Sequence, residues 1–415
     1  MMSRGTLFAA IRKAVEDSCQ DPYLASLMEF GEHEHELAVV LHPGAEAVFF
    51  VWDPDGTVTA DSKTSGTGPG YHAYAVDVVR AVGKLCGIEW DWSADETGYA
   101  TSGNFEDLQD QMAEFLKALG AAFLKDERME DALRMAVNMA MFAPVPVGGG
   151  PFSITPAGPR SRSFWEALKR GENLKQHARE FYPWWTRERD ADYYRKTGLV
   201  LLWSEVTWRP PADEREEATM RLAIDCFERA AELNPKLTLP QAEIADLNAL
   251  LDLEEGDDLP DLDPALIGYY RATIARRLPG PWTVAVPGFW PEDYNEESGV
   301  QYFGHNTIGV HVSTYDLSMV EPGQSPRTAD EIAKPDKEDL PEGAKPVRFR
   351  KDDRVGYYWI YYSEEEDEEG WVLQGCMAVT TSAAHITVWF AEEGSRDWAI
   401  KTFESLTHSA GHEPE

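Results

Sequence analysis

Five residues following a short apolar run have the types and spacing to do chemistry. They are Gly66, Gly68, Gly70, Tyr71 and His72, in the segment Thr64-Ser65-Gly66-Thr67-Gly68-Pro69-Gly70-Tyr71-His72. Glycines ahead of a helix can turn backbone N–H groups toward an anion, and the positive end of the helix dipole favours that charge. Tyr71 or His72 would stand beside such a ligand. A second reading is open: three glycines and a proline let the chain turn sharply from strand to helix. No GK[ST] follows, which excludes a Walker-type phosphate loop, and the spacing is GxGxG where a dinucleotide fold needs GxGxxG.

Other clusters are less complete. In Glu32-His33-Glu34-His35-Glu36, two histidines at i and i+2 of a strand would share a side and could share a metal. HExxH is absent, and a solvated loop or strand end accounts for the same residues. GxSxG does not occur, and no cysteine has a recognisable catalytic context. Asp53 and Asp55 lack the remaining ligands of a calcium loop and read as a hairpin turn. The acidic run that begins Glu364, Glu365, Glu366 and ends at Glu369 fits a charged hairpin tip that keeps strands apart, or a contact for a basic partner. Trp184 and Trp185 lead an aromatic stretch from Phe181 to Trp208 that suits either a contact surface or packing between domains.

Charge narrows the classes. With 38 Lys+Arg against 73 Asp+Glu, the 415-residue chain carries a formal charge of −35. Such a chain is repelled by phosphate backbones and anionic lipid, so neither nucleic acid nor membrane is expected as a partner. Cys19, Cys86, Cys226 and Cys376 form no CxxC pair and are expected to be reduced. The N-terminal apolar run is too short for a secretory signal, and no run of about 18 apolar residues exists, so the expectation is a cytoplasmic protein. No cofactor is expected.

The elements that must position these residues follow from periodicity. A helix is predicted over 6–18, then strands at 36–41, 47–53 and 57–60 with a turn at Asp53-Pro54-Asp55-Gly56. After the glycine segment comes a helix with Tyr74, Val76, Val79, Val82 and Leu85 on its apolar face. Trp90, Trp92 and Tyr99 suggest an extended stretch. A helix capped by Ser102 or Asn104 presents Phe105, Leu108, Met112, Phe115, Leu116 and Leu119, and another is predicted over 127–142. Residues 144–159 cannot hold a helix. Central helices run from about Ser163 to Leu253, with Met220, Ala223, Ile224, Phe227, Ala230 and Ala231 on one face. From Trp282 the pattern alternates. Strands are predicted at 282–286, 307–314, 356–362, 371–380 and 385–390, with the last three forming a meander; a long polar loop spans 316–346, and a closing helix at 396–406 buries Trp398, Ile400 and Phe403.

Two stretches resemble known families. Ala223 to Pro235, AIDCFERAAELNP, resembles the second helix of a tetratricopeptide repeat, with the helix ending in LLWSEV as partner. Trp282 to Leu406 resembles the PsbP/Mog1-type sandwich in layout, through WTVAVPGFW, HITVWF and a closing helix with TFESL. That resemblance implies binding more than catalysis, and fold alone does not give function. The expected fold class is a multidomain α+β or α/β protein: an N-terminal α/β domain (1–145), a helical middle with the repeat-like hairpin (146–280), and a C-terminal antiparallel sheet packed with helices (281–415). The sequence leaves open which part the central helices pack against. The expected function is a non-enzymatic binding or regulatory protein acting on a protein partner, with an accessory protein or an immunity-type inhibitor of a basic partner among the options. The alternative is an enzyme with a ligand site at the Gly66–His72 turn.

Overall fold

The computed structural model describes residues 4–18, 28–53, 55–125, 153–155, 158–253, 262–263, 266–305, 308–318, 327–336, 338, 340–364 and 369–409. They fall into two compact units, one ending at Arg271 and one beginning at Ala272. The protein is a mixed α+β chain, and among the described residues every strand pairing is antiparallel.

The first unit opens with helix α1 (Arg4–Ser18), which buries Leu7, Phe8, Ile11, Ala14 and Val15. A four-stranded meander follows: β1 (Glu29–Glu32), β2 (Glu36–Val40), β3 (Val48–Trp52) and β4 (Val58–Asp61). Helix α2 (Pro69–Cys86) packs on α1 and ends where Gly87 takes the left-handed conformation. Its buried stripe holds the expected Val76, Val79 and Val82 together with Tyr71, Ala75 and Val78, whereas Tyr74 is half-buried and Leu85 is 50% exposed. The expected extended stretch at 90–99 is also corrected. Asp95 accepts the N–H groups of Thr97 (3.0 Å) and Ala100 (2.7 Å), and Gly98 turns left-handed, so Tyr99 starts a short helix, α3 (Tyr99–Ser102). Asn104 then caps α4 (Phe105–Phe123) by accepting the Asp107 N–H. Phe115, expected inside, is 41% exposed. The helix expected at 127–142 lies outside the described residues.

After a two-stranded ribbon, β5 (Ser153–Thr155) and β6 (Gly158–Arg160), the chain is helical: α5 (Arg162–Arg170), α6 (Leu174–Phe181), α7 (Ala191–Ser204), α8 (Glu214–Leu233) and α9 (Gln241–Leu251). Helices α5 and α6 pack on α4, so the central helices join the N-terminal part. Helices α7 and α8 pair closely, with Gly198 set against the Phe227 ring; a Cβ there would come within 2.8 Å of it. Met220, Ala223, Phe227 and Ala230 are buried as the helix period requires. The Arg209-Pro210-Pro211 break between the two helices is held by Glu216, which accepts from both Arg209 guanidinium nitrogens (2.7 and 2.6 Å). Just before the break Trp208 has φ 57°, a strained value for a large side chain, and is fully buried. Its indole donates to the Leu202 carbonyl (3.2 Å), and the Arg271 guanidinium lies 3.6 Å over its ring.

The second unit is built on a seven-stranded sheet, in the order β12 (Val347–Lys351), β13 (Arg354–Ser363), β14 (Gly370–Val379), β15 (Ser382–Phe390), β11 (Ile308–Asp316), β10 (Val300–His305), β9 (Glu292–Asn295). The expected meander at β13–β15 is present. Strands β9 and β10 were not expected, because EDYN carries no apolar alternation. Beside this sheet lies a three-stranded one of β7 (Thr273–Arg277), β8 (Trp282–Pro287) and β16 (Thr407–His408). The stretch taken as a long loop contains helix α10 (Ala329–Ala333), started by a reciprocal capping box between Thr328 and Glu331.

Helix α11 (Arg396–Glu404) closes the core with Phe403, which is fully buried; Ala399 is buried beside it, and Trp398 and Ile400 are half-buried. Strand glycines Gly356 and Gly375 make the recess for Phe403: a Cβ on either would stand 2.7 Å from its ring. The recess is shaped for one ring, so Phe403→Ala should cost about 3–5 kcal/mol in denaturant unfolding. Gly375→Ala should also destabilise, with Phe403→Ala and Gly375→Ala together less costly than their sum, because the first removes what the second strikes.

Candidate functional site

The five residues singled out at the glycine turn do come together, at the start of α2. Gly68 has φ 112°, a conformation that L side chains rarely adopt, and a Cβ there would meet the Trp184 carbonyl oxygen at 2.6 Å. At Gly70 a Cβ would lie 2.1 Å from Trp184 Cδ1 and 2.2 Å from the Thr186 carbonyl oxygen. The Gly70 N–H donates to the Trp184 carbonyl (3.0 Å), and the Trp184 N–H donates to the Thr67 carbonyl (3.0 Å). The notch opened by the glycines is therefore filled by the chain's own Tyr182–Thr186 segment. Gly66 is buried, and the Tyr71 ring is fully buried with its hydroxyl donating to the Glu46 carbonyl (3.0 Å).

This arrangement corrects the reading of Trp184 and Trp185 as partner contacts. They are 2% and 8% exposed, with Trp184 wedged into the turn and Trp185 stacked on Tyr182. An aromatic side chain that fills a core notch has no surface left for a partner.

Beneath Trp184 lies His42, which the sequence did not single out because a lone histidine in LHPG carries no spacing signal. It is 1% exposed and ringed by Tyr71, Trp184 and Tyr193, with centroids 6.4, 6.0 and 5.8 Å away. The Gly44 N–H donates to Nδ1 (3.0 Å), which puts the ring proton on Nε2, facing Thr197 Oγ1 at 3.2 Å. Thr197 in turn donates to the Tyr193 carbonyl (2.9 Å). Burial, helped by the nearby positive Arg189, pushes the His42 pKa down to about 3.

His72 sits in a polar chain. Thr64 Oγ1 is 2.8 Å from Nδ1, and Thr97 Oγ1 is 3.2 Å from Nε2. Thr97 donates its only hydroxyl proton to Asp95 Oδ1 (2.7 Å), so it must accept from His72 Nε2–H. Nδ1 is then the acceptor for the Thr64 hydroxyl. The proton order runs from Thr64 to His72 to Thr97 to Asp95, and Asp95 Oδ1 also stands 3.6 Å from Nε2. Burial pushes the His72 pKa down, against the pull of Asp95. Burial pushes the Asp95 carboxyl up, but bonds from Thr97 and the Ala100 N–H and the nearby imidazole outweigh it, and the net shift is downward. A local signal existed for Asp95 and Thr97, since Asp-x-Thr suits a side-chain-closed turn; nothing tied that turn to His72.

A groove of about 670 Å³ lies between α6, α7 and the end of α8, and Arg179, Asp190, Asp192, Arg195 and Lys196 line it. Lys196 is 3% exposed, and it donates to the Arg179 and Tyr182 carbonyls at the end of α6 and pairs with Asp192 (3.0 Å). Burial lowers its pKa to about 8 although Asp192 pulls it up. All three ammonium protons are thus engaged in holding α6 to α7.

His33 and His35 are exposed at the β1–β2 turn, and among the described residues no group of three His, Cys, Asp or Glu side chains is placed to hold a metal. Glu364 is exposed beside β13, while Glu365 and Glu366 lie outside the described residues. Cys86, Cys226 and Cys376 are free thiols. Among the described residues no helix is long and apolar enough to cross a membrane. Compared with known proteins, the chain matches no family model and no curated protein.

The His42 shift has a definite sign. The unfolded chain takes up a proton near pH 6.5, and the folded one only near pH 3. Its contribution to stability is therefore complete above pH 6.5 and is lost as pH falls toward 3, by about 1.4 kcal/mol per unit below 6. His42→Gln should flatten the fall in urea midpoint between pH 7 and 4.5 relative to the unaltered chain. An unchanged slope would mean that His42 is not held neutral.

Proposed function

We propose that the protein is a binding protein that takes a basic protein partner. The observation that supports this best is the edge strand β9. All four of its residues are exposed, Tyr294 is 48% exposed, and Glu292, Asp293, Glu296 and Glu297 surround it. Of these carboxylates only Glu292 has a cation near it among the described residues, Arg276 at 3.6 Å.

Tyrosine gives a large contact area at low entropic cost, and unpaired acids at the rim attract and orient a basic partner. The Tyr294 N–H is taken by Asp293 Oδ1 (2.8 Å), so the edge offers side chains more than a free backbone ladder. A similar pairing of aromatic and acid occurs at the far end of β13, where Tyr362 is 43% exposed and donates to Glu369 (3.0 Å). The net charge of −35 extends the same attraction over longer range.

The test is affinity capture with the full chain at low and high salt, run in parallel with Tyr294→Ala and with the triple charge reversal Asp293→Lys, Glu296→Lys, Glu297→Lys. A basic protein retained by the unaltered chain should bind about 10–30-fold more weakly to Tyr294→Ala. It should also be lost both at high salt and with the charge reversal. A partner whose retention ignores salt and all four positions would overturn this assignment.

A further inference from the structure

We propose that Thr64 is a nucleophilic hydroxyl with His72 as its general base, and that this turn transfers the acyl group of an activated ester to water. The inference is independent of the binding reading and uses a different unit of the chain.

The geometry points to it through proton direction. In the chain from Thr64 to Asp95 every proton is committed one way, and the only hydroxyl whose proton faces an unprotonated ring nitrogen is that of Thr64, at 2.8 Å. That distance is within the range a general base needs. Behind the imidazole, Thr97 fixes the tautomer, and the Tyr99 N–H (3.1 Å) and Gln111, which donates to the Thr97 carbonyl (2.9 Å), hold Thr97 in turn. The Asp95 side chain is 8% exposed and lies 3.6 Å from Nε2, so its charge stabilises the imidazolium that forms when Thr64 gives up its proton. Thr64 itself is half-buried, in the loop between β4 and α2, whereas His72 stands on the first turns of a helix pinned by Trp184. The base is held rigidly and the nucleophile stays near the surface.

The step balances without an outside reagent. Thr64 Oγ attacks the ester carbonyl carbon as its proton passes to His72 Nδ1. The carbon–oxygen bond to the alcohol breaks, and the alcohol leaves with that proton. Water then gives a proton to Nδ1 and attacks the acyl-threonine; the acid is released, and the proton returns to Thr64. Thr64 and His72 are catalytic residues here, while Thr97 and Asp95 are positioning residues.

The experiment uses the full chain and p-nitrophenyl acetate. The expected result is a burst of nitrophenolate with the acetyl group found by mass spectrometry on the peptide carrying Thr64. Thr64→Val, which keeps the shape of the side chain, should abolish both, and Thr64→Ser should restore them. His72→Gln should slow acylation by about 10²–10⁴-fold. Asp95→Asn should move the onset of acylation to lower pH, because the Asp95 charge raises the proton affinity of His72; a purely structural role would leave that onset in place. Near-UV circular dichroism of Thr64→Val confirms that its fold is intact. Acetyl spread over lysines, or a burst unchanged in folded Thr64→Val, overturns the proposal.

Discussion

The first unit depends on one reciprocal contact, in which the Trp184 backbone exchanges hydrogen bonds with Thr67 and Gly70 while its ring fills the space their glycine neighbours leave. Two bonds of ordinary strength would be a modest tie alone. Here they fix the position of a fully enclosed indole, and around that indole stand His42, Tyr74 and Tyr193. Helix α2, the β2–β3 loop of the small sheet and helix α7 thereby share one centre. A protein interior is packed like a molecular crystal, so a single such centre fixes several elements at once.

That contact also shows where reading the sequence stops. The Gly66–Gly70 segment and the stretch from Phe181 were both conspicuous in the sequence, and each has two physical readings when taken alone. What connects them is a separation of more than a hundred residues, and no local period reports it. Local features were legible wherever local physics decides them. The 3.6-residue repeat placed Met220, Ala223, Phe227 and Ala230 inside, Asn104 capped its helix, and alternation marked β13 to β15. Strand β9 was missed because an edge strand facing water on most sides needs no apolar alternation. His42 and the Thr64–Asp95 chain were missed for a different reason: a buried polar network is specified by its partners, which lie 155 and 25 residues away in the two longest links.

The buried cations show how an acidic protein keeps positive charge inside. Lys196 meets two carbonyls and Asp192, and Arg271, whose side chain is fully buried, meets Asp246 at 2.6 Å and the face of Trp208. In each case the desolvation cost is offset by backbone oxygen or ring electron density as well as by a carboxylate. The surplus of acids stays at the surface, where solvent screens it.

The Trp208–Arg271 stack has a mechanical meaning. Arg271 is the residue at which the chain leaves the first unit, and its side chain is clamped between an indole and Asp246 while Gly268 lets the backbone pass against the same indole. Tension arriving along the polypeptide from the C-terminal side reaches this clamp before it reaches any helix. There the stacked indole and the Asp246 ion pair tie the chain's exit point to the break before α8 and to α9, so the side chain of Arg271, and not the backbone alone, carries the junction.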